Sequence, residues 1–202
     1  MSRSGLIESL IAEGVLETPS LIKAFKSIDR ADFVIPPFKE DAYEDCALPI
    51  WCEQTISQPY TVAIMLELLQ LQPGDRVMDV GSGSGWTTAL LATLCKHVDA
   101  VERHDELISF ARENLAKYPL KNITLHKAER TLGLRGEHFD KILVSCSAEE
   151  MPQELIEQLS PGGIMVIPVE DSIFKVVKDL QGSLRTYEYP GFVFVPLVTD
   201  DL

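Results

Sequence analysis

The segment Arg76–Glu102, RVMDVGSGSGWTTALLATLCKHVDAVE, decides the fold of this 202-residue chain. It begins with a short apolar run and passes through the alternating glycines Gly81, Gly83 and Gly85 into an amphipathic stretch. A second apolar run then ends at Glu102. A strand, a glycine loop, a helix and a second strand in this order predict a parallel βαβ unit with a ligand at the loop.

The spacing of the glycines narrows the class of ligand. The loop is G-x-G-x-G rather than the dinucleotide fingerprint G-x-G-x-x-G, and no phosphate-binding Lys-Ser/Thr pair follows it, so a nucleoside without phosphate fits better. Glu102 ends the second strand, where a carboxylate can accept hydrogen bonds from both ribose hydroxyls. This arrangement favours S-adenosyl-L-methionine, with these cofactor-binding residues: Gly81, Ser82, Gly83, Ser84, Gly85 and Glu102. The alternatives are a tight turn without a ligand and a solvated carboxylate.

Asp79 precedes the first glycine by two positions. Its carboxylate is suited to orienting the loop or to meeting the ammonium group of the cofactor. It is equally suited to capping backbone amides of the loop. Both interpretations stay open at this point, and Asp79 joins the predicted cofactor-binding residues.

The rest of the chain extends this unit into a sheet. After Arg76, apolar runs alternate with amphipathic stretches, which is typical of parallel strands joined by helices. The runs 173–180 (IFKVVKDL) and 191–197 (GFVFVPL) lack a helix between them, so we expect antiparallel strands there. The predicted fold is α/β, a doubly wound, mostly parallel seven-stranded sheet with an antiparallel C-terminal edge. We expect one domain over 1–202, with the cofactor-binding core at 74–202.

The remaining part, residues 1–73, is predicted to be mostly helical and to lie on the substrate side. Apolar residues at helical spacing occur in 4–16, and Thr18-Pro19 is typical of an N-cap followed by proline in the first turn. The stretch 33–55 contains too many prolines and acidic residues for a regular element. Long irregular segments are often functional.

Charge and composition exclude several classes of function. The net charge of −13 disfavours binding to nucleic acid, which depends on Lys and Arg neutralising phosphates. Glu8 and Glu13 interrupt the apolar residues of the N-terminus, so we expect neither a signal peptide nor a membrane partner and a cytoplasmic location. The four cysteines and four histidines lack metal-ligand spacing, which predicts reduced thiols and no metal site. The oligomeric state is not predicted.

Several motifs together resemble the protein-L-isoaspartate O-methyltransferase family: IDRADFV, AYEDCALPI, the run from QTISQPY to WTTALLA, and VFVPL near the C-terminus. The resemblance covers most of residues 28–197. It implies S-adenosyl-L-methionine as cofactor, isoaspartyl-containing proteins or peptides as partners, and protein repair as the role. It also implies that Thr55, Ile56 and Ser57 bind the substrate, with Ser57 as the first catalytic candidate and Thr55 as the second.

The chemistry implied by this resemblance requires little from the side chains. A carboxylate with a pKa near ~4 is already ionised at neutral pH, and the sulfonium is a good leaving group, so no strong base is needed. Alignment and exclusion of water supply most of the rate enhancement. A hydroxyl at Ser57 is sufficient to hold the second carboxylate oxygen. Its alternative role is capping the helix that begins at Gln58-Pro59.

The chain departs from the family pattern at the stretch before QTISQPY. Trp51, Cys52 and Glu53 replace residues that are usually small or glycine. The ring and the added carboxylate change how a peptide carboxylate approaches, and Glu53 would repel it. Cys52 itself matches no thiol hydrolase pattern.

Two further departures concern acidic residues. Glu129 stands where the family has the acidic residue that meets the adenine amino group, so we predict cofactor binding by Glu129. Its alternative is a surface carboxylate paired with Arg130 or Lys127. Glu149 and Glu150 follow the fourth strand and add negative charge near the predicted active-site rim.

Three other functions remain to be distinguished from isoaspartyl methylation. The first is a methyltransferase of the same fold for a different carboxylate, motivated by Trp51 and Glu53. The second is a non-catalytic S-adenosylmethionine-binding recognition protein. The third, a nicotinamide oxidoreductase, is disfavoured by the glycine spacing.

Overall fold

The N-terminal third consists of short helices and one small hairpin. The computed structural model describes residues 1–198. In chain order the elements are α1 (Arg3–Ala12), α2 (Pro19–Ser27), the 3-10 helices Arg30–Phe33 and Pro36–Asp41, β1 (Leu48–Pro49), β2 (Thr55–Ile56) and α3 (Pro59–Leu69). Thr18 is the N-cap residue of α2 and proline occupies its first turn, as the sequence predicts. The segment 33–55, which was predicted to be irregular, therefore contains the 3-10 helix Pro36–Asp41 and all but the last residue of the β1–β2 hairpin.

The remaining elements form the predicted sheet and its helices. They are β3 (Arg76–Val80), α4 (Trp86–Ala92), β4 (His97–Glu102), α5 (Asp105–Leu115), β5 (Ile123–Lys127), β6 (Phe139–Val144), α6 (Gln153–Gln158), β7 (Leu159–Val169), β8 (Ser172–Lys178) and β9 (Leu184–Pro190). The seven strands lie in the order β5-β4-β3-β6-β7-β8-β9. The strands β3 to β7 pair in parallel, and β8 and β9 add in antiparallel fashion. The predicted fold is confirmed.

Each face of the sheet has its own hydrophobic core. One core lies between the sheet and the helices α1 to α5, where Phe25, Leu66 and Leu90 are buried. The other lies on the α6 side and contains Phe139 and Leu155. The chain therefore covers both faces, as a parallel sheet with fully apolar strands requires.

The position of the last strand differs from the prediction. We predicted residues 191–197 as the second antiparallel strand, but Leu184–Pro190 takes that place and pairs with β8. Most of β9 is exposed because it lies at the edge of the sheet, so it shows no alternation of apolar residues. Residues 191–197 instead return to the carboxyl end of the sheet, where Ser147 bonds to Val195 and Leu197.

The strand β3 lies at the point of the sheet where the strand order reverses. The strand β3 lies between β4 and β6, so the connections that leave its two neighbours run in opposite directions along the sheet. In open α/β sheets a crevice forms at the carboxyl ends of the strands at such a switch point. The glycine loop follows β3 and lies at this crevice.

Candidate active site

A single cavity at the carboxyl end of the sheet collects most of the predicted site residues. Its wall consists of residues 54–57, 80–84, 101–104, 128–133 and 195–198, together with Ser145 and Cys146. The hairpin, the glycine loop, the end of β4, the loop after β5 and the C-terminal segment therefore meet around one space. The last two segments carry no predicted catalytic role, but the sequence pointed to both, through Glu129 on the loop after β5 and through the resemblance of VFVPL.

The glycine loop adopts backbone angles that are unfavourable for residues with a side chain. Gly83 has φ of +53° and Gly85 has φ of +87°, both in the left-handed region. Gly85 is the N-cap residue of α4, and a Cβ there would lie 3.2 Å from the Cβ of Ala111. The loop is thus held close to α5, and the N–H of Gly83 is free to donate to Oε2 of Glu102 at 3.0 Å.

Glu102 is buried rather than solvated. Only 6% of its surface is exposed, although the carboxylate lines the cavity. Besides Gly83, the backbone N–H groups of Arg103 and His104 donate to Oε1 at 2.7 and 2.9 Å. The solvated-carboxylate alternative is therefore wrong, and these amides fix the orientation in which Glu102 faces the cavity.

Asp79 lies behind the loop and is completely buried. Its Oδ2 accepts hydrogen bonds from the hydroxyls of Thr87 and Thr88 at 3.0 and 2.6 Å, so it holds the first turn of α4 rather than loop amides. Burial raises the pKa of Asp79 to about 6, and the nearby charge of Glu102 adds to that rise. Its Oδ1 has no hydrogen-bond partner among the described residues.

Other buried polar atoms around the loop are unpaired in the same way. Within residues 1–198, Oγ of Ser82 and Nε1 of Trp86 also lack a hydrogen-bond partner. Ser82 lines the cavity, as does Ser84, whose carbonyl oxygen accepts from Asn114 at 3.1 Å. Buried polar atoms are nearly always paired in native proteins, so unpaired ones around a cavity suit a polar ligand. The residues present fit a nucleoside cofactor.

The hairpin brings two hydroxyls to the same cavity. Thr55, Ile56 and Ser57 all line the cavity, and Ile56 is the most buried of the three at 4% exposure. Ser57 is not the helix cap, because Gln58 is the N-cap residue of α3. Instead, Oδ1 of Asp45 accepts from the N–H of Tyr60 at 2.8 Å. The hydroxyl of Ser57 is therefore not engaged in capping.

Glu129 lies on the loop after β5, exposed to solvent and lining the cavity. Lys127 forms an ion pair with Asp105 at 2.9 Å. Cofactor binding by Glu129 stays a prediction.

Glu149 and Glu150 are exposed and lie beyond Ser147, which is bridged to Pro196.

Arg30 is the site residue that sequence reasoning missed. It is 3% exposed, and its Nη2 donates to the carbonyl oxygens of Cys46 and Ser57 at 2.8 and 3.1 Å. Its Nη1 donates to the carbonyl oxygen of Ala42 at 2.9 Å. The guanidinium carbon lies 5.3 Å from the ring centroid of Trp86, which also lines the cavity. The motif IDRADFV contains Arg30, but no pattern in it indicates these bonds.

The described part of the chain contains neither a metal-binding cluster nor a membrane-spanning helix. Among residues 1–198, no group of three or more His, Cys, Asp and Glu side chains is placed to hold a metal ion. None of the helices in that part of the chain is both long and apolar enough to cross a bilayer.

Comparison with known proteins identifies clear relatives. A family model described as protein-L-isoaspartate(D-aspartate) O-methyltransferase matches residues 1–202. The chain is 39% identical over 199 residues to a protein-L-isoaspartate O-methyltransferase of Pyrococcus horikoshii, covering 95% of this chain and 90% of that one. It is 41% identical over 203 residues to that of Pectobacterium atrosepticum, with 97% of each chain covered. The fold matches a Plasmodium falciparum protein-L-isoaspartate O-methyltransferase crystallised with S-adenosyl-L-homocysteine, with a TM-score of 0.88, 25% identity, and 99% and 100% coverage.

Proposed function

Since this chain belongs to the protein-L-isoaspartate(D-aspartate) O-methyltransferase family, we propose that it transfers a methyl group from S-adenosyl-L-methionine to the carboxylate of L-isoaspartyl residues in damaged proteins. The observation that carries the proposal is the meeting of Thr55 and Ser57 with the glycine loop and Glu102 around one cavity. The hydroxyls come from the hairpin and the cofactor-binding groups from the sheet. Donor and acceptor of the methyl group are thereby held on opposite walls.

The sheet side is suited to the cofactor. Glu102 retains one lone pair, on Oε2, that can accept from a ribose hydroxyl, because the N–H groups of Arg103 and His104 occupy both lone pairs of Oε1 and that of Gly83 occupies one of Oε2. Oγ of Ser82 is an unpaired polar atom in the cavity wall and is available to the amino-acid end of the cofactor, whereas Asp79 lies behind the loop and supports it through Thr87 and Thr88. In this proposal Glu129, which lines the same cavity, accepts from the adenine amino group. When bound, S-adenosyl-L-methionine supplies an electrophilic methyl group on a sulfonium.

The hairpin side is suited to the substrate carboxylate. Ser57, with Thr55 beside it, donates to one carboxylate oxygen and so directs the other toward the methyl group. Ile56 packs inward and fixes the spacing of the two hydroxyls. The carboxylate is ionised at neutral pH, so these residues need only orient it and exclude water. The products are the methyl ester and S-adenosyl-L-homocysteine.

Incubation with an isoaspartyl peptide and S-adenosyl-L-methionine labelled in its methyl group tests the proposal. We expect a base-labile ester on the isoaspartyl peptide and none on the same peptide with a normal aspartyl residue. Absence of ester, with cofactor binding intact by calorimetry, would instead select the non-catalytic recognition protein. If only an unrelated carboxylic acid is labelled, the protein is instead a methyltransferase of the same fold for a different carboxylate.

A further inference from the structure

The tip of the β1–β2 hairpin is strained although it contains no glycine. Ile50 and Gln54 are joined by a backbone hydrogen bond of 2.9 Å, and the N–H of Gln54 donates to the carbonyl oxygen of Trp51 at 3.2 Å. Cys52 and Glu53 occupy the two central positions of this turn, with φ of 59° and 57°. Hairpin turns of this kind normally carry Asn or Gly there, because other residues are strained in the left-handed region.

The strained turn holds Trp51 and Glu53 in solvent. Leu48, Ile50 and Ile56 on the inner side of the hairpin are at most 5% exposed, whereas Trp51 is 40% exposed. Glu53 is also exposed. Trp51 thus presents part of its surface to solvent, and backbone strain of this kind is typical of functional segments.

The tip is continuous with the predicted substrate residues. Side chains alternate between the two sides of a strand, and Pro49 pairs with Thr55 on the outer side. Trp51 follows Pro49 by two positions and begins the turn that leads to Thr55. Ser57 follows Glu53 by four positions, which corresponds to about 13 Å of extended chain.

The chemistry of the tip favours a cation. The ring of Trp51 attracts a cation over its face, and the carboxylate of Glu53 attracts the same charge. A second carboxylate is close, since the thiol of Cys52 donates to Oε2 of Glu106 at 3.5 Å. Burial, together with Glu106 and Glu102, raises the pKa of the Cys52 thiol, which agrees with a negative potential at the tip.

We propose that Trp51 and Glu53 form a subsite for a lysine or arginine side chain of the substrate polypeptide, two to four residues away from the isoaspartyl residue. The spacing follows from the distance between the tip and Ser57, since an extended peptide advances about 3.3 Å per residue and a long basic side chain bridges the remainder. The inference rests on the proposed function and deepens it. Among damaged sites, those with a basic residue nearby are esterified fastest.

Isoaspartyl peptides that differ at one position test the subsite. Arginine, alanine or glutamate is placed in turn two, three and four residues before and after the isoaspartyl residue, and kcat/KM is measured at low salt. We expect arginine to exceed alanine by about fivefold at the best position and glutamate to fall below alanine. The advantage of arginine shrinks in 0.5 M salt, roughly as expected for an exposed charge pair.

Two variants test whether the preference for arginine peptides depends on Trp51 and Glu53. We expect Trp51→Leu and Glu53→Gln each to reduce the ratio of arginine to alanine peptide toward one, with the melting temperature unchanged. The matched controls Tyr187→Leu on β9 and Glu157→Gln on α6 change residues that are also exposed, and they keep the ratio of the parent.

The possible failures are distinguishable. If the parent protein esterifies all the peptides with kcat/KM within twofold, or if the preference survives in both tip variants, the subsite is overturned while the proposed function stands. If Glu53→Gln removes the preference for arginine and Trp51→Leu does not, the proposed role of Trp51 in the subsite is overturned. If the parent protein esterifies no isoaspartyl peptide at all, the proposed function itself fails.

Discussion

The guanidinium of Arg30 donates from Nη2 to the carbonyl oxygen of Ser57 at 3.1 Å. The same group binds carbonyl oxygens of Ala42 and Cys46 and lies over the ring of Trp86. Burial lowers the pKa of Arg30 to about 10, so the guanidinium remains charged at neutral pH. The buried guanidinium of Arg30 therefore fixes the backbone at Ser57 relative to Trp86, which lines the same cavity.

We expect Arg30→Lys to lower kcat roughly tenfold or more, because an ammonium cannot reproduce the planar set of donors and small displacements of reacting groups are costly. Stability should fall by about 2 kcal/mol as some carbonyl oxygens lose their donor. Steady-state kinetics and urea unfolding measure the two effects, with Arg112→Lys on the exposed side of α5 as control. In a Ser57→Ala background the loss of kcat should vanish. Equal losses in both backgrounds would contradict positioning through Ser57.

The substitution Ser57→Ala separates catalysis from capping. We expect kcat to fall about 10- to 100-fold, the value of one hydrogen bond to a charged group, with the dissociation constant of S-adenosyl-L-methionine nearly unchanged. Because Gln58 is the N-cap residue and Asp45 bonds to Tyr60, the melting temperature should stay within 2 °C, roughly the shift for a small loss of stability. Kinetics, calorimetry and thermal unfolding of one preparation provide all three values. Normal kcat with a destabilised fold would contradict the catalytic role.

The sequence could predict that the glycine loop and Glu102 lie close together, because they are close along the chain. The glycine loop, Ser82 and Glu102 lie within one βαβ unit whose spacing has a direct structural meaning. Arg30 could not be found in this way, since its partners are backbone carbonyl oxygens, which any residue type provides. The capping of α3 by Asp45 was missed for a similar reason, since its partner is the backbone N–H of Tyr60.

The C-terminal edge shows a second limit of sequence reasoning. The apolar alternation of residues 191–197 resembles a strand, yet that segment packs across the carboxyl end of the sheet beside Ser147. The actual strand β9 is polar because both of its sides are largely exposed. Alternation reports burial on one side of an extended chain, and it does not identify the neighbour that provides the burial.

The glycine loop predicts a steric test of the cofactor site. We expect Gly83→Val to raise the dissociation constant of S-adenosyl-L-homocysteine by at least about tenfold, because φ of +53° strains a branched residue and distorts the loop. Calorimetry measures the affinity. The control Gly74→Ala introduces a Cβ with no atom within 4 Å and should bind normally. Affinity within threefold of the parent would show that the cofactor does not approach Gly83.

A stability prediction concerns the end of α3. Gln70 follows this helix with φ of 54°, ψ of 51° and an exposed side chain. Because glycine adopts this conformation without strain, Gln70→Gly should stabilise the fold by about 0.5 to 1 kcal/mol. Urea unfolding measures the gain, and activity should be unchanged, since Gln70 is remote from the cavity. A loss of stability would indicate that the side chain of Gln70 contributes more than the strain removes.

Asp79 makes the stability of the protein depend on pH. Folding raises its pKa from 3.8 to about 6, chiefly by burial, so the folded state binds the proton more tightly than the unfolded state does. The stabilising contribution is complete below pH 3.8 and is lost as the pH rises through about 6. Above that range the buried charge costs roughly 2 to 3 kcal/mol, at 1.36 kcal/mol per unit of pKa difference.

The substitution Asp79→Asn removes this titration and retains an oxygen that can accept from Thr87 and Thr88. The difference in free energy of unfolding between Asp79→Asn and the parent should therefore increase by about 1 kcal/mol between pH 5 and pH 7.5, in favour of the variant. Urea unfolding of both proteins without cofactor at the two pH values measures it. Any constant effect of the amide cancels in the comparison, and the other carboxyl groups titrate in both proteins alike. A difference that does not change with pH would mean that Asp79 ionises normally, with its charge stabilised by groups beyond the two threonines.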